Sequence, residues 1–284
     1  MISIIVCSRT PNLEVEYKRN IEGSIGTEFE WVIIDNSHNT YSIFAAYNEG
    51  VRRSRGSILA FLHDDILFHS SNWGRDILQL FGENIGIIGI LGGHVITDQC
   101  KSWMSTLHRC GDIIQTIRNK QGDIIQSYQS NSPNIYPFDN HLLDVSVVDG
   151  LCFFAQRKLF ETISFDEITY GHCFHAYDID ISMQCQDSGY RVCVTDLLQV
   201  EHFSHGNMNE SWQLSMNQFT VKWKDNLPLV RVPSGENSEY VLKADLLYEE
   251  LCNEKGVLVH KLAKIRQSIP YKLVSMLYSI FRKK

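Results

Sequence analysis

The chain has 284 residues, 44% hydrophobic and 21% charged, with a formal charge of -7. That suits one large α/β domain with or without a helical appendage. It excludes a general nucleic-acid binder, which needs a basic footprint. The charge is uneven. Residues 255–284 hold eight Lys or Arg and no acid, leaving eighteen of the twenty-six bases against all thirty-three acids. None of the eight cysteines forms a CxxC pair, which argues against a zinc ribbon or thioredoxin-like motif. The N-terminus lacks a signal-peptide pattern, and no apolar run approaches the ~18 residues of a membrane span. A cytoplasmic protein with reduced thiols is expected.

Residues 2–7 (ISIIVC) read as a buried strand ending in the turn residues 8–12. Residues 12–22 allow a short helix, and 29–34 (FEWVII) a second strand stopped at Asp35-Asn36. Residues 41–55 read as a helix that Gly56 is placed to end. A third strand, 57–62, ends at His63-Asp64-Asp65; a helix near 74–81 and a strand near 85–91 follow. This order predicts an α/β fold with a mainly parallel central sheet and helices on both faces. Ligands bind beyond the carboxyl ends of such strands. There the clusters Cys7-Ser8-Arg9, Asp35-Asn36 and Asp64-Asp65 should share one edge.

Residues 94–142, rich in Gly, Asn, Ser and Asp, read as a hairpin-rich insertion. Then come a strand over 143–148 leading to Asp149-Gly150, a strand and short helix over 151–161, a helix over 175–189 and a strand over 190–195. From 236 onward the chain reads as helical and amphipathic. The expected division is a domain over 1–232 and a basic helical appendage over 233–284. A basic amphipathic tail suits a membrane surface, and equally a helix packed on the protein.

Adjacent acids after a strand often only cap a helix. They can also hold Mg²⁺ or Mn²⁺ against a diphosphate. The run NEGVRRSRGSILAFLHDDI resembles the nucleotide-binding segment of family 2 glycosyltransferases, which have the GT-A fold. Asn48, Gly50, Arg52, Arg55, Gly56 and His63-Asp64-Asp65 carry the likeness. SIIVCSRT and WVIIDNS resemble that family's first two strands. VDGLCFFAQRKLFETISFDE resembles its acceptor-side segment, and HAYDIDISMQCQDSGYRVCV its helix opening on an acidic motif. Two positions depart: His63 stands where the family has Asp, and Tyr177 where it has Glu. The two substitutions together mark a subgroup of the family.

The resemblance implies a non-processive, metal-dependent and mostly inverting transferase. It would move a sugar from a nucleoside-diphosphate donor, a UDP-sugar by expectation, to a hydroxyl of a glycan or lipid-linked acceptor. It places Asp65 as ligand to Mn²⁺ or Mg²⁺, with His202 or alternatively His205 as a further ligand. Asp178 takes the catalytic base. Cys7, Ser8, Arg9, Asp35, Asn48, Arg52, Asp64, Asp149 and Gly150 fall to the nucleotide-sugar. Arg52 and Arg55 equally suit a solvated helix face. Trp103, Trp212 and Trp223 could stack on sugar, although packing is the commoner fate of Trp. A non-catalytic nucleotide- or glycan-binding relative, marked by His63 and Tyr177, is the competing reading.

Overall fold

The computed structural model describes residues 1–99, 102–119, 121, 123–131, 136–204 and 208–267. His205 and the tail from 268 onward therefore lie outside the described residues. Strand β1 (Ile2–Ser8) leads to α1 (Val15–Ser24), which buries Tyr17 and Ile21. β2 (Phe29–Asp35) follows, then α2 (Ile43–Arg53). Ser42 caps α2 by accepting the Ala45 N–H, and the face Ile43, Phe44, Tyr47, Gly50 is buried at helical spacing. Ser54, not Gly56, closes the helix. β3 (Ile58–Leu62) is buried throughout, as a strand covered on both faces must be. Next come β4 (Ile66–Phe68), α3 (Trp73–Leu80), β5 (Ile85–Gly89), β6 (Leu91–Gly93) and β7 (Val95–Ile96).

β8 (Arg109–Arg118) and β9 (Ile124–Asn131) form an antiparallel hairpin. The strand expected over 143–148 is two strands, β10 (Leu142–Asp144) and β11 (Val147–Val148). Between them the Val145 N–H donates to Val192 O, and the Ser146 N–H to Gly93 O. The backbone thus changes partners there, stepping from one sheet to the next. β12 (Cys152–Gln156), α4 (Glu167–Tyr170), α5 (Tyr177–Asp187) and β13 (Arg191–Thr195) follow. The rest is β14 (Val200–His202), α6 (Glu210–Trp223), β15 (Leu229–Val230) and the long α7 (Ser238–Gln267).

The fold is mixed α/β. Its main sheet has the order β10-β13-β5-β12-β3-β1-β2. β1, β2, β3, β5 and β13 run one way; β12 and β10 run against them. A second sheet runs β11-β6-β8-β14-β4, with β9 on β8. The core is one continuous cluster centred on β1, β3 and β12, where Phe61 stacks on Phe153 at 4.8 Å between ring centres. Each such buried aromatic stabilises the fold by about 2 kcal/mol.

A buried polar knot joins α4, α5 and α6. Asp180, buried, accepts from Tyr170 Oη, Gln184 Nε2, Lys222 Nζ and Trp223 Nε1. Lys222 also pairs with Asp166 at 2.8 Å. A buried carboxylate needs such a complete set of donors. Asp180 is thereby spent on the fold, although Asp178, two residues earlier, faces the cleft. Among the described residues no helix is long and apolar enough to cross a membrane.

Candidate active site

Strand pairing gathers the acids. β1 and β3 are neighbours in parallel register, so Cys7-Ser8-Arg9 ends beside His63-Asp64-Asp65. β12 pairs with β3 with Cys152 opposite Leu62, and the His63 N–H donates to Leu151 O. That register carries Asp149-Gly150 to His63. β14 pairs with β4 with His202 opposite Ile66, and the Phe203 N–H donates to Asp65 O at 3.0 Å. His202, 137 positions later in the chain, thus arrives at Asp65.

The result is a cleft of about 330 Å³. Its polar wall holds Arg9, His63, Asp64, Asp65, Asp149 and Asp178. Facing it are Met104, Phe174, Met208, Trp212 and Met216. Of the three strand-end clusters, Cys7, Arg9, Asn36, Asp64 and Asp65 line the cleft.

His63, Asp65 and His202 each offer a ligand atom, all within 4.8 Å of one another. Asp65 Oδ1 lies 3.8 Å from His63 Nδ1 and 3.6 Å from His202 Nε2, too far for hydrogen bonds. That oxygen is buried and has no hydrogen-bond partner. A buried carboxylate oxygen without a donor, flanked by two imidazoles, fits a divalent cation. His63 Nε2 is 2.8 Å from Tyr177 Oη. With Nε2–H donating to that oxygen, Nδ1 keeps its lone pair towards Asp65, as a metal-binding imidazole requires.

Arg9 closes the acid pair. Its backbone N–H donates to Asp64 Oδ2 at 2.9 Å, its Nε to Asp64 Oδ1 at 3.0 Å, and its Nη2 to Asp65 Oδ2 at 2.9 Å. Burial works against ionisation of Asp65, but His202, His63 and Arg9 outweigh it and hold the carboxyl well below its ordinary range. Burial also pushes His63 down, which keeps it neutral at pH 7. Of Arg9 and His63, only Arg9 therefore brings a permanent positive charge to Asp65.

Asp178 lies in the first turn of α5, but Ala176 occupies the cap position and no side chain caps the helix. Asp178 is therefore not the cap. Its Oδ2 accepts the Gly150 N–H at 3.0 Å and its Oδ1 the Ile179 N–H at 2.9 Å. Burial, then the charge of Asp149, push its pKa up to about 7 against those two backbone donors. A carboxylate poised near neutrality in a cleft is suited to proton transfer. Asp149 itself accepts from the Leu151 N–H at 2.8 Å and from Trp103 Nε1.

Other expected residues sit elsewhere. Asn48 is bound to Phe165 and Glu167, so it fixes the 165–167 turn against α2. Arg52 pairs with Glu49 on the exposed face of α2, and Arg55 with Glu30. Asp35 is exposed and accepts the Ser37 N–H; its neighbour Asn36 reaches the cleft. Ser8 turns its hydroxyl to Thr10 O. Gly150 lines the cleft, and its missing Cβ also makes room for Tyr177, with whose phenol an added Cβ would collide. Trp223 is in the Asp180 knot, whereas Trp103 and Trp212 line the cleft.

The parts played by His63 and Tyr177 escape the sequence reading, and Trp103 is legible there only as a candidate for stacking on sugar. His63 and Tyr177 look like departures from a pattern, yet they touch each other across 114 positions. The i, i+2 spacing of His63 and Asp65 just after a strand was the available signal for the first. Trp103 lies in the insertion, where no periodicity marks it.

A cleft at the carboxyl edge of a mixed sheet, with a cation-fitting triad and a poised carboxylate, is a candidate active site. The profile described as "Glycosyltransferase like family" matches residues 3–226, and the chain belongs to that family. No curated protein matches it significantly. Among solved structures it is similar to A197 from STIV, with 13% identity over 72% of this chain and 86% of that one, at a TM-score of 0.38. It is similar to GalNAc-T7 with UDP, GalNAc and Mn²⁺ at 10% identity over 74% of this chain and 44% of that one, TM-score 0.48. It is also similar to the mannosyltransferase PcManGT from Pyrobaculum calidifontis, in complex with GDP-Man and Mn²⁺. There the identity is 12% over 98% of this chain and 84% of that one, TM-score 0.49. All three likenesses are distant.

Proposed function

We propose that this chain transfers a sugar from a nucleoside-diphosphate donor, a UDP-sugar, to a hydroxyl acceptor with inversion at the anomeric carbon. The observation that carries the reading is the unpartnered, buried Asp65 Oδ1 between His63 and His202, beside the raised Asp178. Asp65, His63 and His202 would hold Mn²⁺ or Mg²⁺, which when bound neutralises the leaving diphosphate. Arg9, two-thirds exposed at its side chain, supplies a second positive charge to the phosphates. Cys7, Asp64 and Asn36 line the nucleotide side, and Asp149-Gly150 the sugar.

The acceptor enters along Phe174, Met208, Trp212 and Met216. That wall suits the face of a sugar ring or the apolar part of a lipid-linked acceptor. Asp178 takes the proton of the attacking hydroxyl. The oxygen–carbon bond forms at the anomeric centre while the bond to the diphosphate breaks, its electron pair leaving with the phosphate. A single direct displacement with Asp178 as base, without a covalent intermediate, gives inversion. Intact Asp178 and an intact cation triad argue against a non-catalytic relative.

A thermal-shift panel of nucleoside diphosphates and their sugars, with and without Mn²⁺, tests the reading. UDP with Mn²⁺ is expected to raise the melting temperature by several degrees, and UDP alone by little. The same small shift for every nucleotide, metal or no metal, would overturn it. Proton NMR of the product reads the anomeric configuration.

The basic stretch 255–284 would bring the enzyme to an anionic membrane surface. The full chain should sediment with vesicles containing phosphatidylserine, and a chain ending at 254 much less. Equal sedimentation would remove the membrane contact.

A further inference from the structure

The roof of the cleft is built by a segment that shows no catalytic pattern. Ser102, Trp103 and Met104 line it, and they sit in the connection between β7 and β8. Trp103 is 9% exposed, and its indole N–H donates to Asp149 Oδ2. The next turn is tied to the C-terminal helix. Asp245 on α7 is 2% exposed and accepts from the Thr106 hydroxyl, from the Leu107 N–H at 2.5 Å, and from His108 Nδ1–H. Thr106 in turn accepts the His108 N–H at 3.1 Å.

Below the segment, Gly93 of β6 leaves no spare space. A Cβ there would stand 2.8 Å from Thr106 Cγ2 and 3.1 Å from Trp103 Cα. The segment is therefore pressed on the sheet from one side and held by a buried carboxylate from the other. α7 begins twelve residues beyond the end of the family match at 226. It nevertheless reaches the site by a short path, Asp245 to residues 106–108, Trp103, Asp149 and the Gly150–Asp178 contact.

We infer that Asp245 on the C-terminal helix is a positioning residue for the active site, holding the 102–108 segment so that Trp103 orients Asp149 beside Asp178. The inference rests on the transferase reading for its kinetic consequence and not for its geometry. A buried carboxylate with three donors on its two oxygens cannot be replaced by an amide without setting one donor against another. The Leu107 and Thr106 donors share Oδ1 and His108 meets Oδ2, so an Asn at 245 loses the charge and turns its NH₂ towards the His108 Nδ1–H.

The test uses the full chain with Asp245→Asn, Trp103→Phe and the double variant. Trp103→Phe keeps an aromatic side chain, smaller than indole, and loses the N–H that meets Asp149. Hydrogen exchange at Leu107 and His108 should speed up at least tenfold in Asp245→Asn, with core strands unchanged. With a nucleotide-sugar that wild type turns over, each single variant should lose about tenfold in kcat, while UDP–Mn²⁺ affinity stays within threefold. The double variant should lose little more than the worse single, because both act through one chain of contacts. Unchanged exchange at 107–108 would overturn the clamp whatever the activity. Faster exchange with kcat and KM unchanged, or losses that multiply in the double variant, would overturn the link to Asp149. If wild type turns over no nucleotide-sugar, the transferase reading fails and the exchange data still decide the clamp.

Discussion

Asp178→Asn is expected to abolish transfer, by about a thousandfold in kcat, while UDP–Mn²⁺ affinity stays within a few-fold. The magnitude is that of losing a general base. Affinity should survive because Asp178 meets the Gly150 and Ile179 backbone, not the cation triad. The amide keeps the shape of the carboxylate but cannot take a proton. Near wild-type turnover would sink the assignment.

The same substitution has a stability signature that a surface acid would lack. The pKa of Asp178 is raised in the folded chain, from 3.8 to about 7, by burial and by Asp149. A raised carboxylate favours its protonated form on folding. Below about pH 4 both folded and unfolded chains carry the proton, and the group costs nothing. Between about pH 4 and 7 the unfolded chain ionises first, so stability falls as the pH rises. Above pH 7 the cost is constant and amounts to a few kcal/mol. Asp178→Asn loses one backbone acceptor at every pH, but its stability relative to wild type should rise between pH 4 and pH 8, as read by urea unfolding. Turnover of wild type should rise with pH through about 7, since only the ionised carboxylate accepts the proton. A flat rate profile from pH 5.5 to 8.5 would contradict the role.

Why the sequence showed some of this and not the rest follows from range. β1, β3 and β13 are short apolar runs flanked by turn residues, and their boundaries hold to within one or two positions. The strand-end acids were legible because parallel strands deliver their carboxyl ends to one edge. The break between β10 and β11 was not, because it depends on Val192 and Gly93 as backbone partners far away in the chain. Asn48 and Arg52 fit a pattern of residue types, yet their side chains are satisfied by Phe165, Glu167 and Glu49 before any ligand arrives. His63 and Tyr177 each read as a lost acid when taken singly. Only the β3–β12 and α5 packing reveals that the two side chains share one hydrogen bond. Trp103 carries no periodic signal at all and is fixed by Asp149 and its surroundings.

That hydrogen bond makes the second large prediction specific. Asp65→Asn is expected to lower Mn²⁺ affinity by more than a hundredfold and to reduce transfer to background. It removes the one anionic ligand of the triad and leaves two neutral nitrogens and an amide. His63→Ala should cost about a hundredfold, and Tyr177→Phe about tenfold, because the phenol acts only by fixing the imidazole through Nε2. Isothermal titration with Mn²⁺ on chelator-treated protein ranks the three variants directly. Full activity after chelation, or an Asp65→Asn variant that binds Mn²⁺ like wild type, would remove the triad from the mechanism. An order in which Tyr177→Phe costs as much as His63→Ala would make Tyr177 more than a support for the ring.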